Sequence, residues 1–100
     1  MPDAAPAVRV VDNPGASRFD AFVGDELAGF AEYRLRPRRI VFTHTEVDDA
    51  FEGHGVGSTL ARGALDEART RGLGVTPLCP FIRAYIEHHD EYADLVVPGD

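Results

Sequence analysis

The segment Glu52-Gly53-His54-Gly55-Val56-Gly57-Ser58-Thr59 carries three glycines at alternate positions, between two different hydrophobic patterns. Before it, residues 40–47 are rich in β-branched and aromatic side chains, which favour a strand. After it, apolar residues recur at intervals of four from Val56 to Ala68, which is the spacing of one helix face. The glycine segment is therefore predicted to be the turn that joins a strand to the start of an amphipathic helix.

A turn of this kind can bind an anion through its backbone alone. Glycine lets the main chain approach a ligand closely, and the first amides of a helix have no acceptor within the helix. The helix dipole adds positive potential at the same point. The segment lacks the Lys-Ser/Thr ending of a P-loop, and the preceding strands are antiparallel, unlike a dinucleotide-binding βαβ unit. A tight turn with glycines for packing would explain the spacing equally well.

Before the glycine segment, the chain is predicted to form an antiparallel meander. Turn signals at Asn13-Pro14-Gly15, Gly24-Asp25-Glu26 and 36–39 separate the candidate strands. These strands cover residues 8–11, 18–23, 27–35 and 40–47. Residues 1–7 are expected to be a frayed lead-in.

After the glycine segment, a helix from Val56 is predicted to end at Gly72, behind two basic residues of its last turn. A short strand at 73–76 follows, and Pro80 is expected at the first position of a second helix. Residues 95–97 can form a short edge strand. The order β-β-β-β-α-β-α predicts an α/β (α+β) fold with a mixed sheet, built as one domain over residues 1–100.

Composition excludes several classes of protein. The 100 residues carry 17 acidic and 10 basic side chains, a net charge of -7, which argues against nucleic-acid binding. No apolar run is long enough to span a membrane, and the N-terminus does not resemble a signal peptide. The single cysteine, Cys79, excludes an internal disulfide framework and favours a reducing cytoplasm. The acidic balance is compatible with a cationic partner such as an amine.

Three stretches together carry a family resemblance: His44-Thr45-Glu46-Val47, Gly53-His54-Gly55-Val56-Gly57, and Pro77-Leu78-Cys79-Pro80-Phe81 with Tyr85 and Tyr92 after it. They resemble the acetyl-CoA-binding half of the GNAT N-acetyltransferase superfamily, in its short, YjdJ-like branch. Residues 47–95 resemble that half, and the meander fits the antiparallel strands of the family, so the resemblance covers nearly the whole chain. It implies acetyl-CoA as acyl donor, an amine as acceptor, and no metal.

The resemblance also implies where the cofactor would bind. The cofactor-binding residues would be Val47, Gly53, His54, Gly55, Val56, Gly57 and Ser58, with the pyrophosphate on the backbone amides from about Gly53 to Ser58. The pantetheine arm would lie where the strand ending near Val47 splays from the strand at Val75. The family usually has Arg or Gln where this chain has Glu52, and a carboxylate beside a pyrophosphate is unfavourable unless it points away. Arg62 is either a compensating cation or a solvated surface residue.

Cys79 directly precedes Pro80 and so falls near a helix N-cap, where the dipole and free amides stabilise a thiolate. Such a thiol can attack a thioester to give an acyl-cysteine, or it can line the acyl pocket. A small buried hydrophobe is the alternative interpretation.

Two further candidates have acid–base chemistry. His44 and Glu46 are two residues apart on one strand and are expected on the face of Ile40 and Phe42, where either can take a proton from an ammonium group. The resemblance favours Glu46 as base and Tyr85 as the acid for the departing CoA thiolate, with Tyr92 a weaker choice. Polar residues at an exposed strand end, and core packing for Tyr85, are the structural alternatives.

The adjacent histidines His88 and His89 would point about 100° apart on a helix, and no third ligand has a suitable spacing, so they are expected to be exposed surface residues rather than metal ligands. The favoured function is acyl transfer by direct attack of an amine, with a route through Cys79 as the internal alternative. A non-catalytic acyl-CoA-binding or interaction module is the alternative of a different class. The short chain leaves little material for an acceptor pocket, so we expect a homodimer whose partner supplies the second wall.

Overall fold

The computed structural model describes residues 7–98, which form five strands, two α-helices and three 3₁₀ helices. The strands are β1 Val8–Asn13, β2 Arg18–Val23, β3 Glu26–Arg36, β4 Arg39–Val47 and β5 Gly74–Pro77. The α-helices are α1 Val56–Thr70 and α2 Pro80–Glu87, and the 3₁₀ helices cover Pro14–Ala16, Asp49–Phe51 and Asp90–Leu95. Neither α-helix is long and apolar enough to cross a membrane.

The five strands form a single mixed sheet and lie in the order in which they occur in the chain. Strands β1 to β4 pair antiparallel with their neighbours, and β5 pairs parallel with β4. A parallel pair needs a crossover connection, and α1 provides it. The predicted fold class, an antiparallel meander followed by β-α-β-α, is confirmed.

Both helices contribute to one apolar core on one face of the sheet. From α1 the core receives the buried residues Val56, Leu60, Ala61, Ala64, Leu65 and Ala68. From α2 it receives Ile82, Tyr85 and Ile86, and from the sheet Phe19, Ala31 and Phe42. The helix boundaries agree with the predicted starts at Val56 and Pro80, and Gly72 has the left-handed φ of 71° expected after a helix end.

The other surface of the sheet, here called the open face, carries mainly partly or fully exposed side chains, although Asp20 on it is buried. Across its strands it presents Arg9 and Val11 of β1, Arg18 and Phe22 of β2, Phe30 and Glu32 of β3, and His44 and Glu46 of β4. The face is therefore polar at many positions, with two half-buried phenylalanines among them.

A β-bulge at Thr43 overturns the predicted orientation of His44 and Glu46. Phe42 pairs with Tyr33 while His44 pairs with Glu32, so Thr43 is an extra residue on β4. The extra residue reverses the alternation of side chains beyond it. Phe42 therefore faces the helices, and His44 lies on the open face. The prediction that His44 and Glu46 share the face of Ile40 and Phe42 is wrong for this reason.

One further prediction of detail differs from the structure, and another lies outside the described residues. The segment after Asp90 forms a 3₁₀ helix up to Leu95, and the expected edge strand at 95–97 is reduced to one parallel bridge between Val96 and Val75. Of the expected lead-in at 1–7, residues 1–6 lie outside the described residues.

The C-terminal end of α1 is anchored to the sheet by a charged network. Arg71 contacts Asp12 of β1 at 2.6 Å and Glu67 at 2.8 Å, and these hydrogen bonds raise its pKa. The Tyr33 hydroxyl donates to the same Asp12 at 2.6 Å. Burial, followed by this hydrogen bond, raises the pKa of Tyr33 to about 12. The helix is thus held at its C-terminal end by β1 and β3.

Gly29 allows β3 and β4 to approach closely at the end of β4. A Cβ at this position would lie 2.7 Å from the carbonyl oxygen of Glu46 and 3.3 Å from Cα of Val47. Both atoms belong to the backbone and cannot move without disturbing the sheet. We expect Gly29→Ala to lower the free energy of unfolding by about 1–3 kcal/mol, measured by urea denaturation.

Gly15→Ala is the matched control for that measurement. Its Cβ would meet only Asn13 Oδ1, at 3.8 Å, and Gly15 has no left-handed φ. We expect a change within about 0.5 kcal/mol. Equal unfolding midpoints for the two variants would contradict the close approach at Gly29.

Candidate functional site

The glycine segment forms the turn between β4 and α1 that its sequence predicted. Asp48 caps the 3₁₀ helix that precedes it by accepting a bond from the amide of Ala50 at 2.9 Å. Gly53 and Gly55 then adopt φ values of 87° and 74°, a left-handed backbone that favours glycine. Gly55 is the N-cap of α1 and has no side chain to satisfy the helix amides.

Four consecutive amides at this turn are available to a ligand. The amide of Thr59 makes the first helical bond, to the carbonyl of Gly55 at 3.0 Å, and the amide of His54 bonds to Phe51 at 3.2 Å. The amides between these two belong to Gly55, Val56, Gly57 and Ser58, and none of them has an acceptor within residues 7–98. Four free donors at the positive end of a 15-residue helix are groups that can bind an anion.

β4 and β5 separate beside these amides, and the region between the diverging segments is here called the gap. The two strands pair only from Arg39 to Phe42 on β4 and from Gly74 to Pro77 on β5. One further bond, from the amide of Cys79 to the carbonyl of Phe42 at 2.9 Å, closes the paired region. Beyond it α2 begins while β4 continues to Val47 without β5 beside it. The splay predicted between these strands is therefore present.

Cys79 lies where the gap begins. It is the N-cap of α2, only 2% exposed, and its Sγ donates to the Thr45 hydroxyl at 3.2 Å. The thiol and this hydroxyl thus join α2 to β4 across the splayed region. Thr45 was missed in the sequence because the bulge at Thr43 was not foreseen, and a strand without it would have turned Thr45 to the open face.

His44 and Glu46 occupy the opposite side of the same strand. Nε2 of His44 lies at hydrogen-bond distance, 2.9 Å, from Oε2 of Glu46, and both side chains are more than half exposed. Glu46 also lines a cavity of about 140 Å³ together with Leu27, Phe30 and Asp48. The structure therefore separates these two candidates from the thiol of Cys79 by the thickness of β4.

Tyr85 lies in a second cavity, of about 370 Å³, between the start of α1 and the face of α2. Ser58 and Phe81 line the same cavity. Burial raises the pKa of Tyr85, with a smaller opposing effect from Arg62, so the phenol keeps its proton at neutral pH. The ring belongs to the apolar core and stacks on His89 with centroids 3.8 Å apart.

The other aromatic and histidine candidates have structural contacts. The Tyr92 hydroxyl donates to Asp66 at 2.6 Å, and burial together with that bond raises its pKa. His88 is exposed, but His89 is not the free surface residue that was expected, because its ring stacks on Tyr85 and its Nδ1 lies 2.7 Å from the Tyr85 carbonyl oxygen. In residues 7–98 no three His, Cys, Asp or Glu side chains are grouped as metal ligands.

Comparison with known proteins identifies the family of this chain. Residues 18–95 match the family described as GCN5-related N-acetyl-transferase. The fold is similar to the solution NMR structure of a GCN5-like candidate N-acetyltransferase from Staphylococcus aureus, with a TM-score of 0.69 and 25% sequence identity. The similarity covers 92% of this chain and 90% of that one. No curated protein matches the chain. The match over residues 18–95 shows that the chain belongs to the GCN5-related N-acetyltransferase (GNAT) family.

Proposed function

We propose that this protein, a single acyl-CoA-binding domain of the short YjdJ-like branch, transfers the acetyl group of acetyl-CoA to an amine. The observation that carries the proposal is the row of four free amides, Gly55 to Ser58, beside the gap between β4 and β5. GNAT enzymes use acetyl-CoA, whose pyrophosphate needs donors of this kind and whose pantetheine needs a slot. The single cysteine favours a reducing compartment such as the cytoplasm.

The pyrophosphate would bind the four amides, with Val47, Gly53 and His54 flanking it. Each hydrogen bond to a charged oxygen contributes roughly 1.5–3 kcal/mol. These donors are backbone groups, so the net charge of -7 does not prevent an anionic cofactor from binding. Glu52 is exposed, so its carboxylate can remain in solvent.

The acceptor amine would approach from the open face while acetyl-CoA occupies the gap. In this arrangement Glu46, paired with His44, takes the proton of the incoming ammonium group. The neutral amine attacks the thioester carbonyl, its nitrogen releases the extra proton that the attack leaves on it, the carbon–sulfur bond breaks, and the departing thiolate takes a proton. Tyr85 is the proposed donor of that proton. The cavity beside Glu46, with Leu27, Phe30 and Asp48, suits an alkyl chain that ends in a cation.

Cys79 offers a two-step alternative. Its thiol would attack the thioester, CoA would leave as the thiol, and the amine would then attack the acyl-cysteine. The support for this route is the position of the thiol beside Thr45 where the strands separate.

A module that binds acyl-CoA without turnover is a second candidate function. One observation favours it: Glu46, Cys79 and Tyr85 do not share one surface, since Glu46 lies on the open face and Tyr85 in the cavity beside Ser58. The release of free CoA in the presence of amines separates this candidate from an enzyme.

Gly55→Ala tests the anion site. The residue has a φ of 74° and no atom within 4 Å of its Cβ position, so the change adds backbone strain of about 1–2 kcal/mol without a collision. Relief of that strain would turn the first amides of α1. We expect the Kd for acetyl-CoA to rise at least about tenfold, which is 1.4 kcal/mol, by titration calorimetry.

Gly72→Ala is its control, because Gly72 has a φ of 71°, has the same open surroundings and follows the other end of α1. It should lose similar stability and keep its affinity within about twofold. Equal Kd values for the two variants would argue against cofactor binding at the glycine turn.

Glu46→Gln tests the proposed base. Loss of a positioned base typically lowers turnover by 10²–10⁴-fold, and we expect a reduction of about this size in CoA release across a panel of amines. Glu32→Gln is the matched control, since Glu32 lies on the same face and pairs with His44 in the sheet register. Full turnover by Glu46→Gln would remove Glu46 from the mechanism.

Cys79→Ala tests the two-step route. Because we propose direct transfer, intact-mass measurement of the wild-type protein with acetyl-CoA and no amine should show no acetyl adduct. The variant should retain turnover within about tenfold, the loss coming from a small cavity beside Thr45. An adduct that is present in the wild type, absent in the variant and chased by amine would establish the acyl-cysteine instead.

A further inference from the structure

The tip of the β3–β4 hairpin is strongly basic in an otherwise acidic protein. Four arginines occur within six residues: Arg34, Arg36, Arg38 and Arg39. We call residues 34–39 the basic arm. None of its guanidinium groups forms an ion pair within residues 7–98, and Arg39 donates instead to the carbonyl of Pro98 at 2.7 Å.

The opposite end of the same hairpin is acidic. The β2–β3 turn and the end of β4 meet there, since the amide of Asp48 bonds to the carbonyl of Ala28 at 2.8 Å. This acidic end carries the carboxylates of Asp25, Glu26, Glu46, Asp48, Asp49 and Glu52. Among the described residues none of them pairs with an arginine, although Glu46 contacts His44. Because β3 is 11 residues long, the two ends lie about 34 Å apart.

The basic arm departs from two local rules of stability. Arg36 and Arg39 are direct partners in the antiparallel register, where like charges are unfavourable. Arg38 has a φ of 68°, a conformation that usually selects glycine or asparagine. Departures from local preference that occur together commonly mark a surface with a role beyond folding. Here both departures concentrate positive charge at one tip.

Between the two charged ends the open face has an apolar centre. Phe22 and Phe30 are half-buried, and Val11 beside them is 39% exposed. The guanidinium of Arg9 lies 4.8 Å from the Phe22 ring centroid, and that of Arg18 lies 4.6 Å from Phe30. The surface therefore has a positive end, a negative end, and between them aromatic rings with the guanidinium groups of Arg9 and Arg18 over them.

We infer that a second copy of this chain docks on the open face in antiparallel orientation, with the basic arm of each copy on the acidic end of the other. The argument is charge complementarity: one two-fold axis through the apolar centre matches both pairs of opposite charges at once. Such an interface is isologous and closes as a dimer. Pairing of two arms edge to edge would instead place arginine against arginine.

The dimer would complete the acceptor side of the proposed active site, and this part rests on the proposed function. The cavity beside Glu46 and Asp48 belongs to the acidic end, so the partner's basic arm would lie at its mouth. The partner would then supply the second wall that a chain of 100 residues lacks.

Oligomeric state, measured without acetyl-CoA or amine, tests the inference apart from catalysis. In sedimentation equilibrium we expect a wild-type dimer at low salt whose Kd rises at least about tenfold when added salt screens the opposed charges. We expect the arm variant Arg36→Glu/Arg38→Glu to be monomeric, and the acidic-end variant Asp25→Arg/Glu26→Arg likewise. An equimolar mixture of these two variants should form a heterodimer, because both contacts regain opposite charges.

Arg62→Glu/Arg83→Glu is the control for net charge. It changes the charge as the arm variant does, at exposed helical positions away from the open face, and should dimerise like the wild type. A monomeric wild type at about millimolar concentration, a dimer insensitive to salt, an arm variant that still dimerises, or a mixture that stays monomeric would each overturn the inference. Recovery of the dimer on mixing also shows that both variants are folded.

Discussion

The site depends on one limit to strand pairing: β5 accompanies β4 for only four residues. The amide of Cys79 makes the last bond between the two segments, to Phe42, and α2 begins immediately afterwards. Pro80 enforces the change, because its fixed φ suits a first helical turn and it has no amide for a strand ladder. The gap follows from this early separation, and the free amides beside it follow from Gly55, a helix N-cap without a side chain.

The helix that presents those amides is held asymmetrically. At its C-terminal end, Arg71 and Tyr33 converge on Asp12, while Tyr92 bonds to Asp66 from the final segment. At its N-terminal end, the ring of Phe81 packs against Gly57 so closely that a Cβ there would lie 2.7 Å from Cζ of the ring. The free donors thus belong to a helix that is anchored to the rest of the fold, and such anchoring favours preorganised binding.

The sequence predicted the elements well because their signals are local. Glycine and proline marked the starts of α1 and α2 and the end of α1, and alternation gave β2 its correct bounds. The bulge had no such signal, since Thr43 is a β-branched residue that suits a strand in either orientation, and the error transferred His44 and Glu46 to the wrong face. The stacking of His89 on Tyr85 could have been predicted from their spacing of four. The four arginines of the basic arm are evident in the sequence, but the net charge of -7 for the whole chain does not show that they are clustered.

The bulge also determines which mutations can change the side chains that face the gap. One extra residue determines which side chains of β4 face the gap. Deletion of Thr43 would therefore exchange the side chains that face the gap with those that face the open face. His44 and Glu46 would turn toward Cys79, and Thr45 would turn to the open face. The same strand sequence can therefore present either of two sets of side chains to the gap. The insertion or deletion of one residue, rather than a series of substitutions, determines which set faces it.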